Sequence, residues 1–123
     1  MSRVLKFRAW DKLNKSFIYS DKGYQGHYVL TLDGKFQNLQ NGSGGDEYVV
    51  QQFTGVKDFN NKDIYEGDII QRSFSKVPYK VPLVCEWSNQ EAAFVLKNPD
   101  SDDYVYLTDF VESLEVVSNI FKK

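Results

Sequence analysis

The chain has 123 residues, a length that fits one domain of about 100–150 residues and one core that needs neither disulfides nor a structural metal. Its aromatic share of 15%, mostly Phe and Tyr, comes with very few alanines, and this favours strands over helices. The single cysteine, Cys85, cannot staple a small secreted fold, and a pI near 5.3 lacks the basic footprint of most nucleic-acid-binding domains.

Five residues, 92–96, form the longest apolar run, against the roughly 20 that a membrane span requires. Behind Arg3, Lys6 and Arg8 the opening MSRVLKFRAW carries no apolar stretch, so no targeting segment is expected. The expectation is a soluble protein of a reducing cytoplasm that makes no membrane contact. Charge is uneven along the chain. Residues 1–40 hold seven Lys or Arg against three Asp, and residues 83–123 hold three against eight Asp or Glu. The two ends can cancel within one fold, meet between subunits, or steer an anionic partner.

In chain order, residues 4–10 read as a strand, with Leu5, Phe7 and Ala9 on one face and Lys6 and Arg8 on a solvated one. A turn over 11–15 returns the chain through Phe17, Ile18 and Tyr19 as a hairpin. Residues 27–32 and 35–39 flank Asp33-Gly34, a strong two-residue turn signal that would set Tyr28 opposite Leu39 and Thr31 opposite Phe36. The glycine-rich loop, with Gly42, Gly44 and Gly45, is expected to be mobile, and 41–47 is the best candidate for an internal boundary in a single domain spanning 1–123.

A strand over 48–53 and a loop over 54–61 follow, the loop ending on Asn60-Asn61, which tolerate left-handed backbone. Strands are expected over 69–74, 83–87, 92–97 and 104–107. The first two are separated by a proline-bearing loop or ragged edge over 77–82. Leu83, Cys85 and Trp87 share one face, as do Ala92, Phe94 and Leu96. Residues 108–113 are the one short helical turn, before a last strand over 114–121.

Catalytic chemistry finds little support. The only histidine, His27, begins a strand without a nucleophile beside it, and Cys85 alternates with apolar neighbours as an inert buried thiol would. One Cys and one His cannot cage zinc. Asp100, Asp102 and Asp103 lack the central glycine and correctly spaced glutamate of a calcium loop. Gly42-Ser43-Gly44-Gly45 lacks the Gly-Lys-Ser/Thr of a phosphate loop. Glu66, Asp68 and Asp58 are close in sequence, yet nothing in the sequence fixes their separation for acid–base work. No cofactor or metal is expected.

Three blocks carry a resemblance: KFRAWDKLNKSFIY at the start, QQFTGVKDFNNKDIYEGDII in the centre and LEVVSNIF near the end. Together they resemble the YopX family, in which a QFTG-type strand leads through a polar loop into IYEGDI. The resemblance implies a phage or prophage protein of the bacterial host cytoplasm, with an SH3-like barrel in the later part and no catalytic residues to carry over. Phe59-Asn60-Asn61 stands where the family usually has a Lys-Asn-Gly-like turn, which puts Asn61 at the positive-φ position. In the signature, Tyr65, Glu66, Gly67 and Asp68 read as structural. Gly67 turns the chain, the two carboxylates flank the turn in water, and Ile64, Tyr65, Ile69 and Ile70 anchor it.

The expected fold is therefore mainly β: an SH3-like barrel with additional β-hairpins and at most one short helical turn. The expected role is non-catalytic, through a protein partner or a homo-oligomer. The alternative is a nucleic-acid-binding small barrel in which Lys6, Arg8, Lys12 and Lys15 meet a phosphate backbone among Phe7, Trp10, Phe17 and Tyr19.

Overall fold

A computed structural model describes residues 5–19, 28–32, 34–39, 44, 47–74, 77–78, 82–107 and 113–122. Among them twelve strands follow in order: β1 (Phe7–Asp11), β2 (Ser16–Tyr19), β3 (Tyr28–Leu30), β4 (Phe36–Asn38), β5 (Tyr48–Lys57), β6 (Asp63–Tyr65), β7 (Asp68–Phe74), β8 (Val77–Pro78), β9 (Leu83–Ser88), β10 (Ala93–Lys97), β11 (Tyr104–Tyr106) and β12 (Leu114–Asn119). The protein is mainly β, as its aromatic-rich, alanine-poor composition predicts. It divides into two compact units, Met1–Gln52 and Phe53–Lys123, and β5 crosses the division. His27 and the expected helical turn, Ser113 apart, lie outside the described residues.

In the first unit β1 pairs antiparallel with β2 and with the start of β5, setting Ala9 between Ile18 and Val50. Ala9, Ile18 and Tyr48 form a small core, against which Tyr28 and Phe36 pack. The hairpin turn is organised by Asp11, whose Oδ1 accepts the amides of Leu13 at 3.0 Å and Asn14 at 3.1 Å. Such carboxylate-to-backbone bonds are the local chemistry that makes aspartate a turn residue.

The second hairpin differs from its expected register by one residue. Tyr28 faces Asn38 and Leu30 faces Phe36, because Thr31 N–H donates to the Lys35 carbonyl at 2.8 Å and closes a three-residue loop, 32–34. Gly34 supplies a positive φ of 85° just before Lys35, a conformation that glycine adopts without strain. A one-residue slip moves every side chain of one strand to the other face. Phe36 consequently stacks on Tyr28 at 5.3 Å, and Leu39 is exposed.

The glycine-rich segment also departs from expectation at its one described residue. Gly44 bridges Gln37, and a Cβ there would lie 2.9 Å from the Phe36 carbonyl oxygen.

The second unit holds a sheet in the order β11-β10-β9-β7-β12, with β8 also paired to β7. This curled half-barrel, with a second sheet, fits a small barrel-like fold. Ile64, Ile70, Cys85, Leu96 and Leu114 are fully buried in its core. Burying each of these larger aliphatic side chains contributes about 1.5–3 kcal/mol before entropy is counted.

One expected loop contains strand, and the start of the segment expected as a loop or ragged edge is an edge. Beyond residue 53, β5 continues through Lys57 around Gly55, whose φ of 88° marks a bulge where the pairing with β6 shifts register. Val77 and Pro78 pair with Phe74 and Ser73 as a two-residue edge, a place that tolerates a proline.

Candidate binding surface

The residues of the IYEGDI segment are held by backbone chemistry. Gly67 has a φ of 85°, donates its N–H to the Cys85 carbonyl at 2.7 Å and accepts from the Ile120 N–H at 2.9 Å. Its neighbour Asp68 is buried rather than in water as the sequence suggested, and its Oδ2 accepts the Tyr65 amide at 2.9 Å. A carboxylate that reaches back three residues to an amide closes the turn locally, and this allows it to be buried.

Asp58 does similar work over a longer span. Its Oδ1 accepts the amides of Asn60 and Lys62, both at 2.9 Å, and its Oδ2 accepts the amide of Val116 at 2.9 Å. With the Phe59 N–H donating to the Leu114 carbonyl at 3.1 Å, these bonds cover the side of β12 away from β7. A sheet edge is thereby closed. Asn61, at a φ of 66°, takes the left-handed position expected of it.

Of the basic residues of the first hairpin, Lys12 and Lys15 are exposed in the turn and Lys6 is half-buried. Arg8 does not share a solvated face with Lys6. It is only 5% exposed, donates Nε–H to Gln51 Oε1 at 2.9 Å and lies over the Phe17 ring at 4.1 Å. Both faces of β1 are buried at this point: Trp10, on the Arg8 side, packs edge-on against Phe17 at 4.9 Å, and Ala9 on the other side is in the core. Alternation in a strand flanked on both sides cannot reveal which face is wet.

A group of exposed aromatic side chains around a carboxylate lies on β9 to β11. Register sets Glu86, Val95 and Tyr106 in one row across three strands, and Val84, Lys97 and Tyr104 in the next row on the same face. Tyr104 and Tyr106 are 43% and 41% exposed, with rings 6.4 Å apart and nearly perpendicular. Glu91, in the β9–β10 turn, receives the Tyr104 hydroxyl on one carboxylate oxygen at 2.7 Å and the Tyr106 hydroxyl on the other. The turn that presents Glu91 is fixed by Ser88 Oγ, which accepts the Glu91 amide at 3.1 Å, and by Ala92 at a φ of 51°.

Hydrogen bonds from Tyr104 and then Tyr106 hold the Glu91 carboxyl below the usual glutamate range, and the bond to Glu91 raises the Tyr104 phenol. Trp87 is 48% exposed near the same turn, its Nε1–H on Asn89 Oδ1 at 2.8 Å and its ring edge-on to Phe94.

Sequence reading placed Tyr104 on a strand but did not follow Glu91 to it. The usable signal was the alternation Tyr104-Val105-Tyr106 beside a turn that carries a carboxylate. Cys85 is buried in the core. Among the described residues no three His, Cys, Asp or Glu side chains gather as a metal site. The acidic loop is held by its own side chains, Asn98 Oδ1 accepting the Asp100 amide at 2.9 Å and Ser101 Oγ the Asp103 amide at 3.1 Å.

The family model described as YopX protein matches residues 6–123. The crystal structure of protein EF1440 from Enterococcus faecalis is similar in fold, with a TM-score of 0.60 and 22% identity, covering 98% of this chain and 95% of that one. No curated protein sequence matches.

Proposed function

This chain belongs to the YopX protein family, and we propose that it acts without catalysis, as a phage or prophage accessory protein of the bacterial cytoplasm that binds a protein partner through the β9–β11 face. The observation that carries this reading is the exposure of Tyr104 and Tyr106, both on β11, around the Glu91 carboxylate. Tyr and Trp give large contact area at low entropic cost and are enriched where proteins bind one another. Among the described residues no helix is long and apolar enough to cross a membrane.

The test is native capture from host cells with the intact protein and with Tyr106→Ser, each followed by sedimentation. The reading expects a partner, or a second copy, that is lost with Tyr106→Ser while the fold is kept. Unchanged capture and unchanged sedimentation would sink it. Nucleic-acid binding through the first hairpin is the weaker reading, since Arg8 is already engaged by Gln51 and Phe17.

A further inference from the structure

Two phenol rings at 85° to one another, both exposed, present π-faces in two directions within a small patch. The negative face of an aromatic ring attracts a cation within about 6 Å of its centroid. Glu91 adds a full negative charge at the hydroxyl ends of both rings. A carboxylate has about four lone-pair sites, and the two tyrosine hydroxyls leave the others open to a donor. The hydrogen bonds from Tyr104 and Tyr106 favour the ionised carboxylate, so the charge persists at neutral pH. Glu86 stands in the same row as Tyr106, and Asp100, Asp102 and Asp103 are exposed in the loop that leads into β11. One cation, Lys97, opposes Tyr104 in the neighbouring row and weakens this field.

We infer that the Tyr104–Glu91–Tyr106 cluster seats a lysine side chain from a basic segment of the protein partner. The inference rests on the reading above and names the chemistry of its partner. Charge complementarity selects this occupant: the cluster and its surroundings offer acceptors and π-faces, which suit an ammonium group and repel a polyanion.

A decapeptide of alternating glycine and lysine, titrated into the isotopically labelled full chain, tests it by amide shifts. Saturable shifts are expected at Glu91, Tyr104 and Tyr106, and none with the glycine–glutamate counterpart. Glu91→Gln keeps an oxygen acceptor while removing the charge, and should weaken binding at least about threefold. Lys97→Gln should tighten it. Shifts confined to Asp100, Asp102 and Asp103, or an affinity indifferent to Glu91→Gln, overturn the inference. If Tyr106→Ser abolishes partner capture while the lysine peptide is ignored, this inference falls and the protein-binding reading stands. If capture also survives, both fall.

Discussion

Asp58 and Gly67 hold the family signature together by different means, and each can be tested alone. The buried Asp58 carboxylate satisfies three amides, one of them 58 residues away on β12. Hydrogen bonds to a charged group contribute about 1.5–3 kcal/mol each, and stranding buried donors adds to the loss. Asp58→Ala should therefore lower unfolding free energy by about 3 kcal/mol or more in urea titration. A change within experimental error would mean that water replaces the carboxylate without penalty. At Gly67 the backbone itself is at stake. A β-branched side chain is strained at a φ of 85°, so Gly67→Val should cost more than about 1 kcal/mol.

The Glu91 cluster answers to pH in a direction fixed by its two shifts. The folded carboxyl titrates lower than the unfolded one, so its contribution is full above the ordinary glutamate range and fades as pH falls below about 4. Tyr104 titrates higher when folded, so its contribution is full below the ordinary tyrosine value and is lost as pH rises through and beyond about 10. Ultraviolet titration should show a late-ionising phenol, Tyr104, that moves toward the ordinary value in Glu91→Gln.

At the scale of elements, Gly44 shows where composition misleads. Shortening a glycine loop costs little, because closure entropy changes slowly with length. Gly44, however, lies against the Phe36 carbonyl as a bridge to Gln37, and a Cβ has no room there. Gly44→Val should destabilise by about 1 kcal/mol or more, while removing Gly42 and Ser43 should leave the denaturation midpoint nearly unchanged. Equal effects of the two changes would contradict this.

The same contrast explains what the sequence made legible. Short alternating runs such as 83–88 and 93–97 declare themselves, because a half-buried strand needs period two and its hairpin needs a turn. The Asp33-Gly34 pair announced a hairpin, yet two- and three-residue loops share that signal, and their registers differ by one. The continuation of β5 through Gly55 was hidden for a related reason: a bulge breaks the alternation on which strand recognition depends. The Glu91 cluster was hidden because its members lie 13 and 15 residues apart, and only the β10–β11 register brings them together.

For the whole molecule, the question is whether its charge meets a nucleic acid or a protein. The unit Phe53–Lys123 carries twelve acidic residues against eight basic, and Met1–Gln52 carries seven basic against five acidic. Only the first unit carries a net positive charge, and there Lys12 and Lys15 are the exposed cations of the hairpin turn. Replacing Arg8 would confuse the test, because Arg8→Glu would set a carboxylate in a buried site and cost stability whatever the function. Lys12→Glu with Lys15→Glu reverses charge where the fold does not depend on it. If the hairpin binds DNA or RNA, filter binding by the intact chain should be tight and fall steeply with salt, since each neutralised phosphate releases counterions. The double variant should then lose that binding. The expected outcome is the opposite: weak, unsaturable retention for both proteins, and partner capture that survives the double variant but fails with Tyr106→Ser. Tight salt-dependent retention abolished by Lys12→Glu with Lys15→Glu would move the function to the first hairpin.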